Sequence, residues 1–158
     1  MKSLEREVGE LLRQKGLTLG LVESATGGLI SHLITSVPGS SDYYKGSVTA
    51  YSNQAKINLV GVREETIKEY GAVSSRVAEE MAQGGRRILD VDICPSDTGI
   101  AGPGGATDVK PVGLFYVGLS HKDGTYSRKH NFQGSRGQNK QKAAEAVLSW
   151  LKEYLLGL

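Results

Sequence analysis

The sequence predicts an α/β fold: a single three-layer α/β/α domain with a mixed, mostly parallel sheet of about five strands. Short apolar runs typical of strands alternate along the chain with amphipathic runs typical of helices. Glycine-rich loops follow two of the strand-like runs, and an Asp-Gly step predicts that the last two strands form an antiparallel hairpin. No repeat or linker interrupts residues 1–158, so we expect one domain.

The first half of the chain predicts three helices and two strands. Ser3 caps the first helix and Gly16 ends it. The other elements are a strand at 17–22, a helix at 29–36, a strand at 47–52 and a helix at 54–60 with Asn53 as its N-cap. In the loop at 40–46, the two tyrosines either pack their rings or stack on the flat ring of a ligand.

The second half predicts three helices, a third strand and the C-terminal hairpin. In chain order these are a helix at 63–70, a helix from Ser74 or Ser75 to Leu89, a strand at 91–94, hairpin strands at 113–121 and 125–132, and a closing helix after Gly134. We expect segment 106–112 to form a flexible lid beside the second glycine-rich loop, 98–105.

Composition excludes several classes of function. The net charge of +2 is too small to favour general nucleic-acid binding, and a single cysteine, Cys94, excludes an internal disulfide and a cysteine zinc cluster. The three histidines lack ligand-like spacing, so no metal is assigned. No apolar run approaches the ~20 residues of a membrane span, and segment 1–7 is too polar for a signal peptide. We expect a cytoplasmic protein with no metal, cofactor or membrane association.

The first glycine-rich loop carries the most chemical information. The residues at 23–28 are Glu-Ser-Ala-Thr-Gly-Gly, between a predicted strand and a predicted helix. A hydroxyl at this point lies beside unpaired backbone N–H groups, which favour phosphate or a developing oxyanion. The alternative is a plain strand-to-helix turn, capped by Ser24 or Thr26.

Lys56 is the candidate that could activate such a hydroxyl. It falls in the first turn of a predicted helix, where the dipole lowers the pKa of an ammonium group. Histidine is missing from every candidate site, so a Ser-Lys arrangement is favoured over a Ser-His-Asp triad. Acting as a base near neutral pH would require a pKa shift of roughly 3 units, or about 4 kcal/mol. The alternative is an ordinary exposed lysine.

A basic cluster begins the closing helix. Arg136, Lys140 and Lys142 lie where the helix dipole disfavours cations, so a bound anion would offset that cost. The alternative is a solvated basic face. Nucleic-acid binding through residues 128–142 is disfavoured because no stacking platform accompanies the charge.

Three ordered motifs resemble the signatures of the CinA C-terminal domain family, the competence/damage-inducible proteins. They are the segment 23–28, Tyr-Ser-Asn-Gln-Ala-Lys at 51–56, and Gly-Ile-Ala-Gly-Pro-Gly-Gly at 99–105. Segments 110–113 and 134–136 also agree, so the resemblance covers essentially the whole chain. The family's stand-alone members include nicotinamide mononucleotide deamidases. The resemblance therefore implies a stand-alone domain that hydrolyses this carboxamide to nicotinate mononucleotide and ammonia, or a catalytically silent nucleotide-binding or regulatory module.

The resemblance also implies roles for particular residues. Ser24 would be the nucleophile, Lys56 its general base, and Tyr51 would orient the pyridinium amide. The implied substrate-binding residues are Thr26, Gly27, Gly28, Asn53, Gly99, Gly102, Pro103, Gly104, Arg136 and Lys140. Many relatives carry cysteine in place of Ala25 and arginine near Lys140, so loop packing and phosphate affinity are expected to differ here. The implied partners are a mononucleotide substrate and further copies of the chain in a homo-oligomer.

Overall fold

A computed structural model describes all residues, 1–158, and contains one five-stranded sheet in the order β2-β1-β3-β4-β5. The strands are β1 (Leu19–Glu23), β2 (Tyr44–Thr49), β3 (Cys94–Gly99), β4 (Leu114–His121) and β5 (Gly124–Asn131). β1 runs parallel to both β2 and β3, whereas the β3–β4 and β4–β5 pairs are antiparallel. The predicted mixed sheet with a C-terminal hairpin is confirmed, with parallel and antiparallel pairings in equal number.

Six α-helices cover the two faces of this sheet. They are α1 (Leu4–Lys15), α2 (Leu29–Thr35), α3 (Asn53–Val60), α4 (Glu64–Tyr70), α5 (Ser75–Leu89) and α6 (Arg136–Leu156), with a 3-10 turn at Ser40–Asp42. The core on one face joins α1, α2 and α6 to the sheet, and the core on the other face joins α3 and α5 to it. None of these helices combines the length and apolar character needed to cross a membrane.

Alternation along β1 builds both cores. Leu19 and Leu21 are fully buried against α1, α2 and α6, while Val22 is fully buried against α5 on the opposite face. Burying one such side chain stabilises the fold by roughly 1.5–3 kcal/mol. A strand that is apolar on both faces therefore fixes the centre of the three-layer arrangement.

Capping residues determine where several helices begin. Ser74, rather than Ser75, caps α5 by accepting a hydrogen bond from Val77 N. Ser135 begins α6 with a reciprocal capping box that involves Gln138. Ser52 caps α3, so the prediction that Asn53 is the cap was wrong by one residue. The Ser52 hydroxyl accepts from Ala55 N at 3.0 Å, and Asn53 is the first residue of the helix.

Two strands lie away from their predicted positions. β3 occupies Cys94–Gly99 rather than 91–94. The prediction failed because the buried polar residues and Pro95 of this strand do not follow an apolar strand pattern. β2 occupies Tyr44–Thr49 rather than 47–52, and the preceding Tyr43 is 1% exposed. The ring of Tyr43 therefore packs in the core and does not stack on a ligand.

Candidate active site

Both glycine-rich loops meet at the carboxyl ends of β1 and β3, where they border a cavity of about 290 Å³. Ligands bind at this edge of open α/β sheets. The lining residues come from separate segments: Ser24, Ala25, Tyr51, Asn53, Lys56, Ala72, Val73, Thr98, Gly99, Ile100, Ala101, Gly102, Gly104, Gly105 and Arg136.

Ser24 and Lys56 lie in contact at the base of the cavity. Ser24 directly follows β1, and Lys56 lies in α3, which follows β2. Because β1 and β2 are parallel neighbours, their carboxyl ends bring the two side chains together. The Lys56 Nζ lies 2.9 Å from the Ser24 Oγ, and the two residues are 2% and 6% exposed. This distance allows direct proton transfer between the hydroxyl and the amine.

The surroundings of Lys56 disfavour its charged form. Burial lowers the pKa of the Lys56 ammonium group, and the Asp97 carboxylate acts in the opposite direction. Lys56 forms no ion pair; besides Ser24, its Nζ donates only to the Tyr51 carbonyl oxygen, at 3.0 Å. The Lys56 Nζ donates to both oxygen atoms, and a neutral amine can also accept a hydrogen bond from the Ser24 hydroxyl, which is the arrangement that proton transfer requires.

Glu23 occupies the backbone donors that the sequence predicted to be unpaired. Its carboxylate is fully buried and accepts from Gly28 N at 3.1 Å, Ile30 N at 2.9 Å and Ser31 N at 2.9 Å. The start of α2 is therefore already satisfied by an anionic side chain of the protein. Neither Gly27 nor Gly28 lines the cavity, and Gly27 N donates to Ser24 O.

Asp97 shapes the turn that carries Ser24. This fully buried carboxyl accepts from Ser24 N at 3.3 Å and from Thr26 N at 3.1 Å, and it also contacts the Thr26 hydroxyl. Burial raises the pKa of Asp97 to about 6, the Thr26 hydroxyl lowers it, and the nearby Glu23 raises it. The predicted donor Thr26 therefore turns away from the cavity and toward Asp97.

Ala25 supplies the backbone donor that remains free in the first glycine-rich loop. Its N–H makes no hydrogen bond within the protein, whereas those of Ser24, Thr26, Gly27 and Gly28 are all engaged. The N–H that follows a nucleophile is a common member of an oxyanion hole. Ala25 also lines the cavity, next to Ser24, as do Ala101, Gly102 and Gly104 of the second loop, whose N–H groups likewise have no partner within the protein.

Arg136 closes one side of the cavity mouth. Its guanidinium donates to the Gly102 carbonyl at 2.8 Å and to the Tyr51 hydroxyl at 3.2 Å. Neither Arg136 nor Lys140 forms an ion pair, and Lys142 donates to the Gln133 carbonyl. The first turns of α6 thus present positive charge that no carboxylate of the protein neutralises.

The structure brings most of the sequence-predicted site residues to one cavity. Those lining it are Ser24, Lys56, Tyr51, Asn53, Gly99, Gly102, Gly104 and Arg136. Those outside the lining are Thr26, Gly27, Gly28, Pro103 and Lys140. Lys140 approaches the first glycine-rich loop instead, since its Nζ lies 3.7 Å from where a Cβ on Gly27 would be.

Sequence reasoning missed three contributors to the site. Asp97 lies after the predicted end of the third strand, so no role was assigned to it. Its position just before the second glycine-rich loop could have indicated a site residue. Asn139 is fully buried and its amide donates to Ala101 O and Gly134 O, tying α6 to the second loop. Ala72 receives a hydrogen bond from Thr98 Oγ1 at 2.8 Å. No group of His, Cys, Asp or Glu side chains is arranged to hold a metal ion.

The fold and the cavity define an α/β/α protein with a buried Ser-Lys pair at the carboxyl edge of its sheet. The sequence profile of the CinA C-terminal domain matches residues 1–155, and the chain belongs to this family. A competence-damage inducible protein of Halothermothrix orenii is 53% identical over 156 residues, and a CinA-like protein of Salinibacter ruber is 49% identical over 146 residues. These matches cover 97% and 92% of this chain but only 37% and 35% of the relatives, so the chain spans little more than a third of their length.

Solved structures share the whole architecture. A CinA superfamily protein from Klebsiella pneumoniae superposes with a TM-score of 0.95 at 27% identity, covering 98% of this chain and 97% of that one. One from Escherichia coli gives a TM-score of 0.89 at 27% identity, covering 98% of this chain and 90% of that one. The predicted family and the predicted α/β fold are thereby confirmed.

Proposed function

We propose that this chain is an amidohydrolase that converts nicotinamide mononucleotide and water to nicotinate mononucleotide and ammonia. The observation that carries the proposal is the 2.9 Å contact between the Lys56 Nζ and the Ser24 Oγ, two buried residues that line the cavity. A lysine with a lowered pKa is a suitable base for a serine nucleophile where no histidine is present. The resemblance of the three motifs to deamidases of the family supplies the substrate.

The first chemical step forms an acyl-serine. The Ser24 Oγ attacks the amide carbon while Lys56 takes the hydroxyl proton. The Ala25 N–H donates to the tetrahedral oxyanion, a contribution of about 3–4 kcal/mol for one strong donor. Lys56 then gives its proton to the departing amide nitrogen, which leaves as ammonia.

The second step restores the enzyme. Lys56 accepts a proton from a water molecule that attacks the acyl carbon, and the Ser24 Oγ leaves and recovers that proton. This step releases nicotinate mononucleotide and regenerates the Ser24 hydroxyl. The chemistry needs no redox partner, because hydrolysis changes no oxidation state.

Groups at the cavity mouth match the rest of the substrate. The ring of Tyr51 is 61% exposed and can lie against the cationic pyridinium ring, an arrangement favoured by cation–π attraction. Arg136 and Lys140 supply cations for the phosphate, and Asn53 and the Gly102 loop lie where the ribose would pass. The fixed charge of the pyridinium ring also makes its carboxamide more electrophilic.

Ammonia release by the purified protein tests this proposal. Wild type should release ammonia from nicotinamide mononucleotide in the presence of a chelator, with equal formation of nicotinate mononucleotide by chromatography. Ser24→Ala and Lys56→Ala should each lower kcat/KM by roughly 10³-fold or more, because each removes a participant in bond formation. Ser149→Ala, on the exposed side of α6, is the matched control and should retain wild-type activity.

Two outcomes would contradict the proposal. Tight mononucleotide binding by wild type without ammonia release would favour a catalytically silent binding module. Substantial ammonia release by a folded Ser24→Ala variant would remove Ser24 from the nucleophile's role.

A further inference from the structure

Three buried polar side chains form a chain directly beneath the nucleophile turn. Glu23, Thr26 and Asp97 are 0%, 1% and 0% exposed. The Thr26 Oγ1 lies 2.7 Å from the Glu23 Oε1, and it also contacts the Asp97 Oδ2. One hydroxyl thus bridges two carboxyl groups, one from β1 and one from β3.

The number of available protons limits the charge that the Glu23–Thr26–Asp97 group can carry. A threonine hydroxyl donates one proton, whereas an ionised carboxylate only accepts. If both carboxyl groups were ionised, one of the two contacts would set lone pairs of the hydroxyl against a negative oxygen. Such a contact is costly in a site from which water is excluded.

The hydrogen-bond partners indicate which carboxyl group is ionised. Glu23 accepts three backbone N–H donors and the Ser31 hydroxyl, in addition to Thr26. Apart from Thr26 Oγ1, Asp97 accepts only from Ser24 N and Thr26 N, and the Ser24 contact is long at 3.3 Å. Donors stabilise a carboxylate, so the negative charge belongs on Glu23.

We infer that the resting protein holds one additional proton on the Asp97 Oδ2, which donates to the Thr26 Oγ1, while Thr26 donates to the Glu23 carboxylate. Asp97 is thereby a positioning residue: it keeps its contacts with the Ser24 turn without placing a second negative charge beside Lys56. Burial raises the pKa of Asp97 to about 6, which is the direction this arrangement requires, and a proton held at neutral pH requires a further rise.

The same proton connects Asp97 to the proposed function. Two states of the pair contain the same number of protons: protonated Asp97 with neutral Lys56, and ionised Asp97 with charged Lys56. Because the two groups interact, they titrate as a coupled set. The inferred state places the proton on the carboxyl group and leaves the amine free to act as a base. Burial of both groups favours this state, because it avoids two buried charges.

Charged groups from three elements act near Asp97. Glu23 of β1 reaches it through Thr26, Lys56 of α3 interacts with it across the cavity base, and Lys140 of α6 approaches the neighbouring Gly27. Val117 of β4 is the strand partner of Asp97, Ala78 of α5 accepts from the adjacent Ser96, and Asn139 of α6 donates to Ala101; none of these side chains is charged.

Infrared spectroscopy of the whole protein tests the proton directly. The spectrum of wild type in D₂O near neutral pH should contain the carbonyl stretch of a protonated carboxyl group, and Asp97→Asn should lack it. Asp92→Asn is the control, since Asp92 is an exposed carboxylate that also accepts from a threonine, at the opposite end of β3. Asp92→Asn should keep the band. Absence of the band from wild type, or its survival in Asp97→Asn, would overturn the inference.

The pH profile of the proposed reaction gives a second readout, which depends on that function. Asparagine mimics a neutral carboxyl group. Asp97→Asn should therefore leave the pH midpoint of the acid limb of kcat/KM unchanged, while lowering the maximal kcat/KM by up to about tenfold. A limb displaced by about one pH unit or more toward acid would show that an ionised Asp97 normally keeps Lys56 protonated, and would overturn the inference. If wild type released no ammonia at all, the infrared band would still decide the question.

Discussion

At the scale of single residues, the site is organised by buried polar groups that have few hydrogen-bond partners. Lys56 is 2% exposed and has only two hydrogen-bond partners. Such a group lowers the stability of the fold at neutral pH, because burial disfavours the charge that the side chain carries in the unfolded chain. The catalytic proposal and the stability of the chain therefore draw on the same pKa shift.

Replacing Lys56 by methionine should stabilise the protein and abolish activity. The pKa of Lys56 is lowered in the folded state, so the folded chain carries a penalty below the ordinary lysine pKa that disappears as pH rises above it. We expect Lys56→Met to raise the free energy of unfolding at neutral pH, and this gain should shrink as pH rises toward ~10.4. Denaturant unfolding followed by circular dichroism measures the change.

Lys68→Met is the matched control for this measurement. Lys68 is exposed and pairs only with Glu64 along α4, so its replacement should alter the free energy of unfolding by less than about 0.5 kcal/mol. A clear loss of stability in Lys56→Met would instead indicate a charged lysine that stabilises the fold.

At the scale of elements, α5 is the helix that fits most closely against its neighbours. It packs on the sheet opposite α6 and also supports the end of α3, which carries Lys56. A Cβ on Gly84 would lie 1.7 Å from the Val60 carbonyl oxygen. The approach of α3 to α5 thus depends on the absence of a side chain at this position.

Gly84→Ala should destabilise the protein although alanine favours helices. The added methyl group must displace backbone at the end of α3, so we expect a loss of about 2–3 kcal/mol in the free energy of unfolding. Gly137→Ala, near the start of α6, meets nothing within 4 Å and should stabilise by about 0.5 kcal/mol. Equal effects of the two variants in denaturant unfolding would contradict the proposed close packing.

At the scale of the whole molecule, the cavity forms only when both halves of the chain have folded. Ser24 and Lys56 come from the first half, whereas the second glycine-rich loop and Arg136 come from the second. Arg136 links these parts, since one guanidinium contacts both Gly102 and Tyr51.

Arg136→Lys should weaken substrate binding more than it slows the reaction. Lysine lacks the planar fork whose two nitrogens make these separate contacts and can grip a phosphate with two parallel hydrogen bonds. We expect KM for nicotinamide mononucleotide to rise roughly tenfold, with a smaller change in kcat. Arg128→Lys is the control, because Arg128 pairs with Glu153 and stacks on Trp150 outside the cavity. A fall in kcat with unchanged KM would place Arg136 in the chemical step instead.

Much of the fold was predictable because its signals are local. The apolar alternation of β1, the Asp-Gly hairpin and the serine caps each act within a few residues. β3 was misplaced because Ser96 and Asp97 are buried by distant segments, and no local pattern announces such burial. Tertiary context decides these cases.

The site was predictable to a similar extent. Parallel pairing of neighbouring strands made the approach of Ser24 and Lys56 a reasonable expectation. The assignment of backbone donors was not predictable, because it depends on where the carboxyl groups of Glu23 and Asp97 point. Only three-dimensional contacts left Ala25 as the free donor of the first loop.

The occupation of the first turn of α2 by Glu23 bears on how the proposed nucleotide substrate would be oriented. In many α/β proteins the first turn of such a helix binds a phosphate group. Here the Glu23 carboxylate accepts the hydrogen bonds of that turn instead. In the proposed complex the phosphate would therefore lie toward the unneutralised cations of α6, with the carboxamide at Ser24. A phosphate directed toward α2 instead would find the N–H groups of its first turn already engaged.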